Sequence, residues 1–397
     1  MQWKWLTQPA RPYTRLFVLH VVIKAALLFA ILNLVYAVLQ PLPWLSQITL
    51  YNAVLPGRER LPFAENPTEA YNISVQRLEG MFASHEISDG PKPDDEFRVI
   101  FLGDSSVWGW LLSPDETLSG CLNAGNYRTA DGRKLRVYNL GYPVLDVFKD
   151  AMILEEALRY EPDAVVWFIT LAAFYPEEQL SHPVIQNNPE RARDLIARYG
   201  LALDASTLPP EQRILKRTII SQRRELADLL RHQIYGIAWL VTGIDHMNPK
   251  YYQKRSENLL PTDDVFGRQR IEGGWTEDLL AIDVLRAGLD IAAQDHIPVL
   301  LINEPIYQSS GLNSDIRYNT YYPRWAYDSY RDLMNRLAAE YGWRYLDLWN
   351  AAPNDQFTDT DLHLSPEATC EFARSITPQI LGLADQSGGS TVTVPSD

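Results

Sequence analysis

The chain has 397 residues, 46% hydrophobic and 22% charged, a globular composition that excludes a largely disordered or collagen-like protein. Thirty-six basic against fifty acidic side chains give a net charge of -14. That excludes nucleic acid as the main partner, because phosphate binding needs a positive surface. Two cysteines, Cys121 and Cys370, are too few for a disulfide scaffold and fit no zinc pattern. One disulfide between them stays open, so cysteine usage does not settle the redox compartment.

Taken in chain order, residues 16–39 are 24 mostly apolar residues without Pro or Gly. As a helix they would be about 36 Å long, enough to cross a hydrocarbon core of about 30 Å. Lys4, Arg11 and Arg15 precede them. By the positive-inside rule the N-terminus is cytoplasmic and everything after the span faces outward. An uncleaved anchor is expected over residues 1–45 rather than a cleaved leader, since Pro41, Pro43 and Trp44 follow the run instead of a small-residue cleavage site. His20, Lys24 and Asn33 are unusual inside a span, and Lys24 either snorkels or faces a partner helix.

Residues 46–97 are rich in Pro, Asn and charge and are expected to be an ordered linker or wrapping segment. Five short β-rich runs follow, at 98–103, 134–141, 164–170, 298–304 and 345–349. The first, third and fourth are near-continuous apolar runs, the pattern of strands covered on both faces. Amphipathic stretches at 146–160 and 278–294 alternate with them. The alternation predicts an α/β fold, a three-layer sandwich around a five-stranded parallel sheet spanning 98–384. Such sheets put their chemistry at the carboxyl ends of the strands.

An insertion at 175–275 carries a basic helical stretch, 212–244, whose apolar part is too short to span a bilayer. A helical cap over the site is the expectation there; a helix on the membrane surface is the rival. The low-complexity tail, 385–397, is expected to be disordered.

The first strand runs into Gly103-Asp104-Ser105-Ser106-Val107-Trp108-Gly109. A serine just past a strand end and before a helix sits in a tight turn, with its hydroxyl free and backbone N–H groups near an oxyanion. The bland alternative is a helix cap. Eight residues after the fifth strand comes 357–367, FTDTDLHLSPE. A serine nucleophile needs a base, and a neutral imidazole suits it near pH 7. His363 has Asp361 and Asp359 within four residues, and either could orient it. Ser365-Pro366 marks the start of the last helix. His85 either packs over the site or satisfies a core polar contact, and the aromatic stretch 314–334 is expected to pack on the sheet.

The segments GDSSVWG, Tyr138–Pro143 and FTDTDLHLSPEA together resemble blocks of the SGNH/GDSL hydrolase superfamily, in order over roughly 98–384. The resemblance implies Ser105 as nucleophile and oxyanion donor, Gly141 as a second oxyanion donor and His363 as base. It implies acyl-ester cleavage or transfer with no metal or cofactor. Two departures stand out. The third strand ends in Thr170-Leu171-Ala172-Ala173 where the family has an Asn, and Asn303 is the candidate substitute. The family's Asp lies three residues before His, where this chain has Thr360; Asp361 matches the spacing of related polysaccharide O-acetyltransferases and Asp359 the start of the usual block. The layout is similar to proteins of bacterial cell-envelope acylation. It implies an acylated glycan or lipid substrate and a membrane-bound O-acyltransferase partner, or else an impaired scaffold or glycan-binding subunit of such a system.

Overall fold

The computed structural model describes residues 13–50, 57–64, 73–210, 214–248, 251–265 and 267–387. A long N-terminal helix, α1 (Arg15–Leu39), is capped by Thr14, whose side chain accepts from the Phe17 N–H. It is long and apolar enough to cross a membrane, and almost none of it is buried within the protein. Lys4 and Arg11, on which its orientation was argued, lie outside the described residues.

The five expected strands are present to within two residues: β1 (Glu96–Leu102), β2 (Lys134–Asn139), β3 (Ala164–Ile169), β4 (Val299–Asn303) and β5 (Arg344–Asp347). They form one all-parallel sheet in the order β2-β1-β3-β4-β5. The chain therefore reverses its winding beside β1, which places a switch point at the carboxyl end of that strand.

Helices cover both faces. In chain order the main ones are α2 (Ser105–Trp108), α3 (Leu118–Ala124), α4 (Val147–Ala157), α5 (Pro189–Tyr199), α6 (Arg223–Thr242), α7 (Ile282–Gln294), α8 (Arg324–Tyr341) and α9 (Pro366–Leu381). Strand residues alternate between two apolar layers, as the two-residue period of a strand requires. Ile100, Leu102, Val165 and Trp167 pack toward α4, α7 and α8. Phe97, Val99, Phe101, Val166 and Phe168 pack toward α3 and α9. A disulfide between Cys121 and Cys370 joins α3 to α9. Gly288 of α7 lets the helix sit on the sheet, since a Cβ there would meet the Trp167 ring at 2.5 Å.

The segment before β1 runs along the sheet toward the carboxyl end of β1. The Arg58 N–H donates to Ser84 O at 2.9 Å, and the Arg60 guanidinium donates to Gly109 O and Leu112 O. The insertion carries α5 and α6. The expected disorder from residue 385 is corrected at its start, because Ala384–Ser387 close in a short helix; 388–397 lie outside the described residues.

His85 is a core residue and does not cover the site. Its Nε2 donates to Asn139 O (3.0 Å) and Glu59 O (3.2 Å), and its Nδ1 accepts from the Ile87 N–H. The neutral ring is fully satisfied, and burial holds its pKa down to about 4. The unfolded chain protonates this imidazole below pH 6.5, whereas the native one does not. Its contribution is fully present above that pH and falls by about 1.4 kcal/mol per unit as acid is added. Urea titrations of His85→Gln between pH 6.5 and about 4 are expected to show a pH dependence shallower than wild type by that slope.

Candidate active site

The turn that carries Ser105 is built by local constraint. Gly103 has φ +152°, and a Cβ there would lie 2.7 Å from Val107 Cγ2, so only glycine fits. Asp104 caps the next turn, its Oδ1 accepting from the Ser106 N–H at 2.7 Å. Gly109, at φ +88°, ends α2 after one turn. Ser105 is left at the first helical position, at the carboxyl end of β1.

From the far end of the domain, His363 reaches the same point. Its Nε2 lies 2.8 Å from Ser105 Oγ, and its Nδ1 lies 2.9 Å from Asp359 Oδ1. A carboxylate only accepts, so Nδ1 carries the proton and Nε2 is free to accept from the serine. The ring is held by its backbone: Thr358 N–H donates to His363 O, and His363 N–H donates to Thr360 Oγ1. Ser365 then caps α9 through the Ala368 N–H.

Asp359, not Asp361, orients the imidazole. Thr360 Oγ1 accepts from the N–H groups of both Leu362 and His363, forming a tight turn over the residues between. That turn carries Asp359 under the ring and rotates Asp361 away. Asp361 Oδ2 instead accepts from the Thr320 N–H (2.9 Å) and the Thr320 hydroxyl. The electrostatics separate the two. Burial works against charge on Asp359, but the His363 hydrogen bond and charge outweigh it and hold its pKa below the usual value. Burial raises that of Asp361, and Thr320 offsets it only in part.

Two other expectations are corrected. Gly141 donates its N–H to Asn139 Oδ1 at 3.1 Å, inside an Asx turn, and so has no donor for an oxyanion. Its lack of a side chain serves close approach, since a Cβ would lie 2.6 Å from Trp108 N. Asn303 is also committed elsewhere. Its amide donates to Asp347 Oδ1 (2.8 Å) and its carbonyl accepts from Tyr327 Oη (3.1 Å), so it ties β4 to β5 and α8.

Sequence reading missed what lies around and beneath the serine. Val144, in the loop after β2, has φ +78° and is exposed in the cleft beside Ser105. Among the described residues no acceptor takes the backbone N–H of Ser105 or of Val144. Lys149, at the start of α4, is fully buried. Its Nζ donates to Gly103 O (3.2 Å), Val144 O (2.8 Å) and Tyr142 O, and pairs with Asp150 Oδ1 at 3.0 Å. One ammonium thus clamps the end of β1 to the loop after β2. The only sequence signal was a charged pair where an amphipathic helix proved buried almost all round. Nearby, the Ser106 hydroxyl donates to Glu304, whose pKa is pushed well above the carboxylate range, by burial first and then by Asp104.

The cleft over Ser105 and His363 is about 660 Å³, with Phe63, Trp110, Leu145, Tyr175, Tyr321 and Leu362 in its walls. No described residue of 214–244 lines it, so that stretch does not cap the site; from the insertion, Tyr175, Glu178 and Ser181 reach the cleft. Among the described residues no group of three or more His, Cys, Asp or Glu is arranged to hold a metal ion.

No family model and no curated protein matches the chain. Among solved structures it is similar to a carbohydrate acetylesterase family member from Sinorhizobium meliloti (12% identity, TM-score 0.32, covering 72% of this chain and 99% of that one). It is also similar to the M. smegmatis aryl esterase (12%, TM-score 0.31, 72% and 99%). A lipase/acylhydrolase from Enterococcus faecalis aligns at 16% identity, TM-score 0.32, over 72% and 95%. Likenesses this slight carry no argument about chemistry, which stands on the contacts above.

Removing the Lys149 charge leaves three buried carbonyls and Asp150 without their partner. Lys149→Met is expected to lower the free energy of unfolding by about 3–5 kcal/mol, read from urea titration.

Proposed function

We propose that this chain is a membrane-anchored serine ester hydrolase or O-acyltransferase of SGNH type, facing outward from the membrane. The observation that carries the reading is the continuous relay Ser105–His363–Asp359 at the carboxyl edge of a parallel sheet. Ser105 Oγ attacks the acyl carbonyl while its proton passes to His363 Nε2. Asp359 stabilises the imidazolium so formed and fixes its tautomer. The backbone N–H groups of Ser105 and Val144 are the available donors for the tetrahedral oxyanion, Val144 taking the part expected of Gly141. Collapse of that intermediate breaks the ester C–O bond, and His363 returns the proton to the departing alkoxide. Water or an acceptor hydroxyl then attacks the acyl-serine by the same route in reverse.

The membrane part rests on α1, whose 25 residues extend about 37 Å and contain an 18-residue window of mean hydropathy 2.4. The Cys121–Cys370 disulfide supports an outward location, since such bonds persist in oxidising compartments. The aromatic walls of the cleft suit an acylated glycan or lipid, whose ring faces or acyl chain would pack on them. A membrane-bound acyltransferase working beside this chain belongs to the same reading. An inert scaffold would be favoured by a serine out of reach of its base or a site sealed by the insertion; the serine is 2.8 Å from the imidazole and the cleft is open to it.

A fluorophosphonate probe is expected to label the wild type and not Ser105→Ala; equal labelling of both would remove Ser105 as the nucleophile. With p-nitrophenyl acetate, Asp359→Asn is expected to lower kcat on the order of 10³–10⁴-fold, the cost of a misplaced tautomer. Asp361→Asn is expected to stay within about tenfold of wild type, because that carboxyl reaches Thr320 and not the imidazole.

A further inference from the structure

Helix α6 has two faces. His232, Gly236 and Trp239 are buried against the protein. Leu230, Ile234, Ile237 and Val241 recur at steps of four, three and four, which puts them on one line along the opposite side. All four are between 47% and 76% exposed. An apolar stripe of this kind on an exposed helix marks a surface that something covers.

What covers it follows from where α6 is attached. Ile220, just ahead of the helix, donates its N–H to Asn33 Oδ1 of α1 at 3.4 Å. Gln233, on the edge of the stripe, is bound to the chain that leaves α1: the Leu50 N–H donates to its Oε1 (2.6 Å) and its Nε2 donates to Ile48 O (3.0 Å). Asn33, Tyr36 and Ala37 are the buried residues of α1, so this contact lies on its last two turns. Asn33 is six residues before Leu39, or about 9 Å below the upper end of the span. Interfacial helices bury their apolar face about 5–10 Å into the boundary between headgroups and acyl chains, the same depth. The exposed side chains of Trp44, Ile48 and Leu50 continue the apolar surface from α1 toward α6. Arg224 and Arg231 stand about a third of a turn from the stripe, where guanidinium groups meet lipid phosphates.

We infer that α6 lies in the outer-leaflet interface, with Leu230, Ile234, Ile237 and Val241 among the acyl chains. The domain is then held to the bilayer at two places, by α1 and by α6, and its orientation on the surface is fixed. This inference rests on the reading of α1 as a membrane span, and the test separates the two.

Both native cysteines are paired, so a single introduced cysteine takes an environment-sensitive fluorophore alone. The full chain is placed in nanodiscs of phosphatidylcholine and phosphatidylglycerol, with Ile234→Cys, Ile237→Cys, Leu28→Cys within α1, or Asp228→Cys on the other side of α6. Nitroxide-labelled lipid is expected to quench the label at 28, 234 and 237 several-fold more than at 228, and aqueous iodide is expected to quench it at 228. Quenching at 28 by lipid but at 234 and 237 by iodide would overturn the inference and leave the anchor standing. Shielding of 234 and 237 from both quenchers would also overturn it, in favour of a protein partner or a second copy on the stripe. A label at 28 that lipid does not quench would remove the membrane span itself.

Discussion

The hydrogen bond between Ser105 and His363 joins positions 258 residues apart, and the site exists only while that bond can form. Neither residue is placed by its neighbours in sequence alone. Ser105 is carried by the end of β1, and His363 by the loop between β5 and α9. The parallel sheet brings both to one edge, because every strand in it points the same way. The Cys121–Cys370 disulfide crosses the same seam, tying the helix after the first loop to the helix after the second. Closing a loop of 249 residues in the unfolded chain is worth about 5 kcal/mol in the chain-entropy account. The covalent bond thus favours the approach that the chemistry needs.

Beneath the serine the protein buries charge that would cost several kcal/mol per ion if left unpaired. For Lys149 the cost is offset by dense pairing. Lys149 meets three carbonyls and Asp150, and Asp150 in turn accepts from the Trp167 indole at 3.0 Å. Those carbonyls belong to the two segments that carry the proposed oxyanion donors. The clamp holds those segments in place before any substrate arrives, which is what preorganised stabilisation requires. The third strand contributes nothing similar. Leu171 and Ala172 are buried after it, and the Ala172 N–H faces Tyr322 Oη at 3.4 Å. Ala172 meets the cleft there with no polar side chain in place of the absent Asn, and the polar groups that remain lie on the β1–β2 side.

The molecule has a second working surface away from the cleft. Helix α6 packs one side on the domain, where Asp245 and His246 just past it meet Arg58. Its other side is apolar and continuous with the base of α1. A helix that capped the site would have to turn this stripe toward the cleft, and the bonds of Ile220 to Asn33 and of Gln233 to Ile48 and Leu50 hold it elsewhere.

The sequence by itself determined the five strands and the apolar span, and it marked Ser105 and His363 as candidates, because each is written in a local pattern: a run of apolar residues, a glycine turn after a strand, a histidine ahead of a helix cap. Only the tertiary structure chose Asp359 over Asp361, since the choice turns on how Thr360 folds the backbone between them. Only it removed Gly141 and Asn303 from the oxyanion site, because whether an N–H is free depends on acceptors folded against it. Only it drew in Lys149 and Val144, which no spacing distinguishes from an ordinary helix charge and an ordinary loop residue. Local patterns fix what the backbone does over a few residues; which polar atoms end up unpaired is decided by the whole chain packing at once.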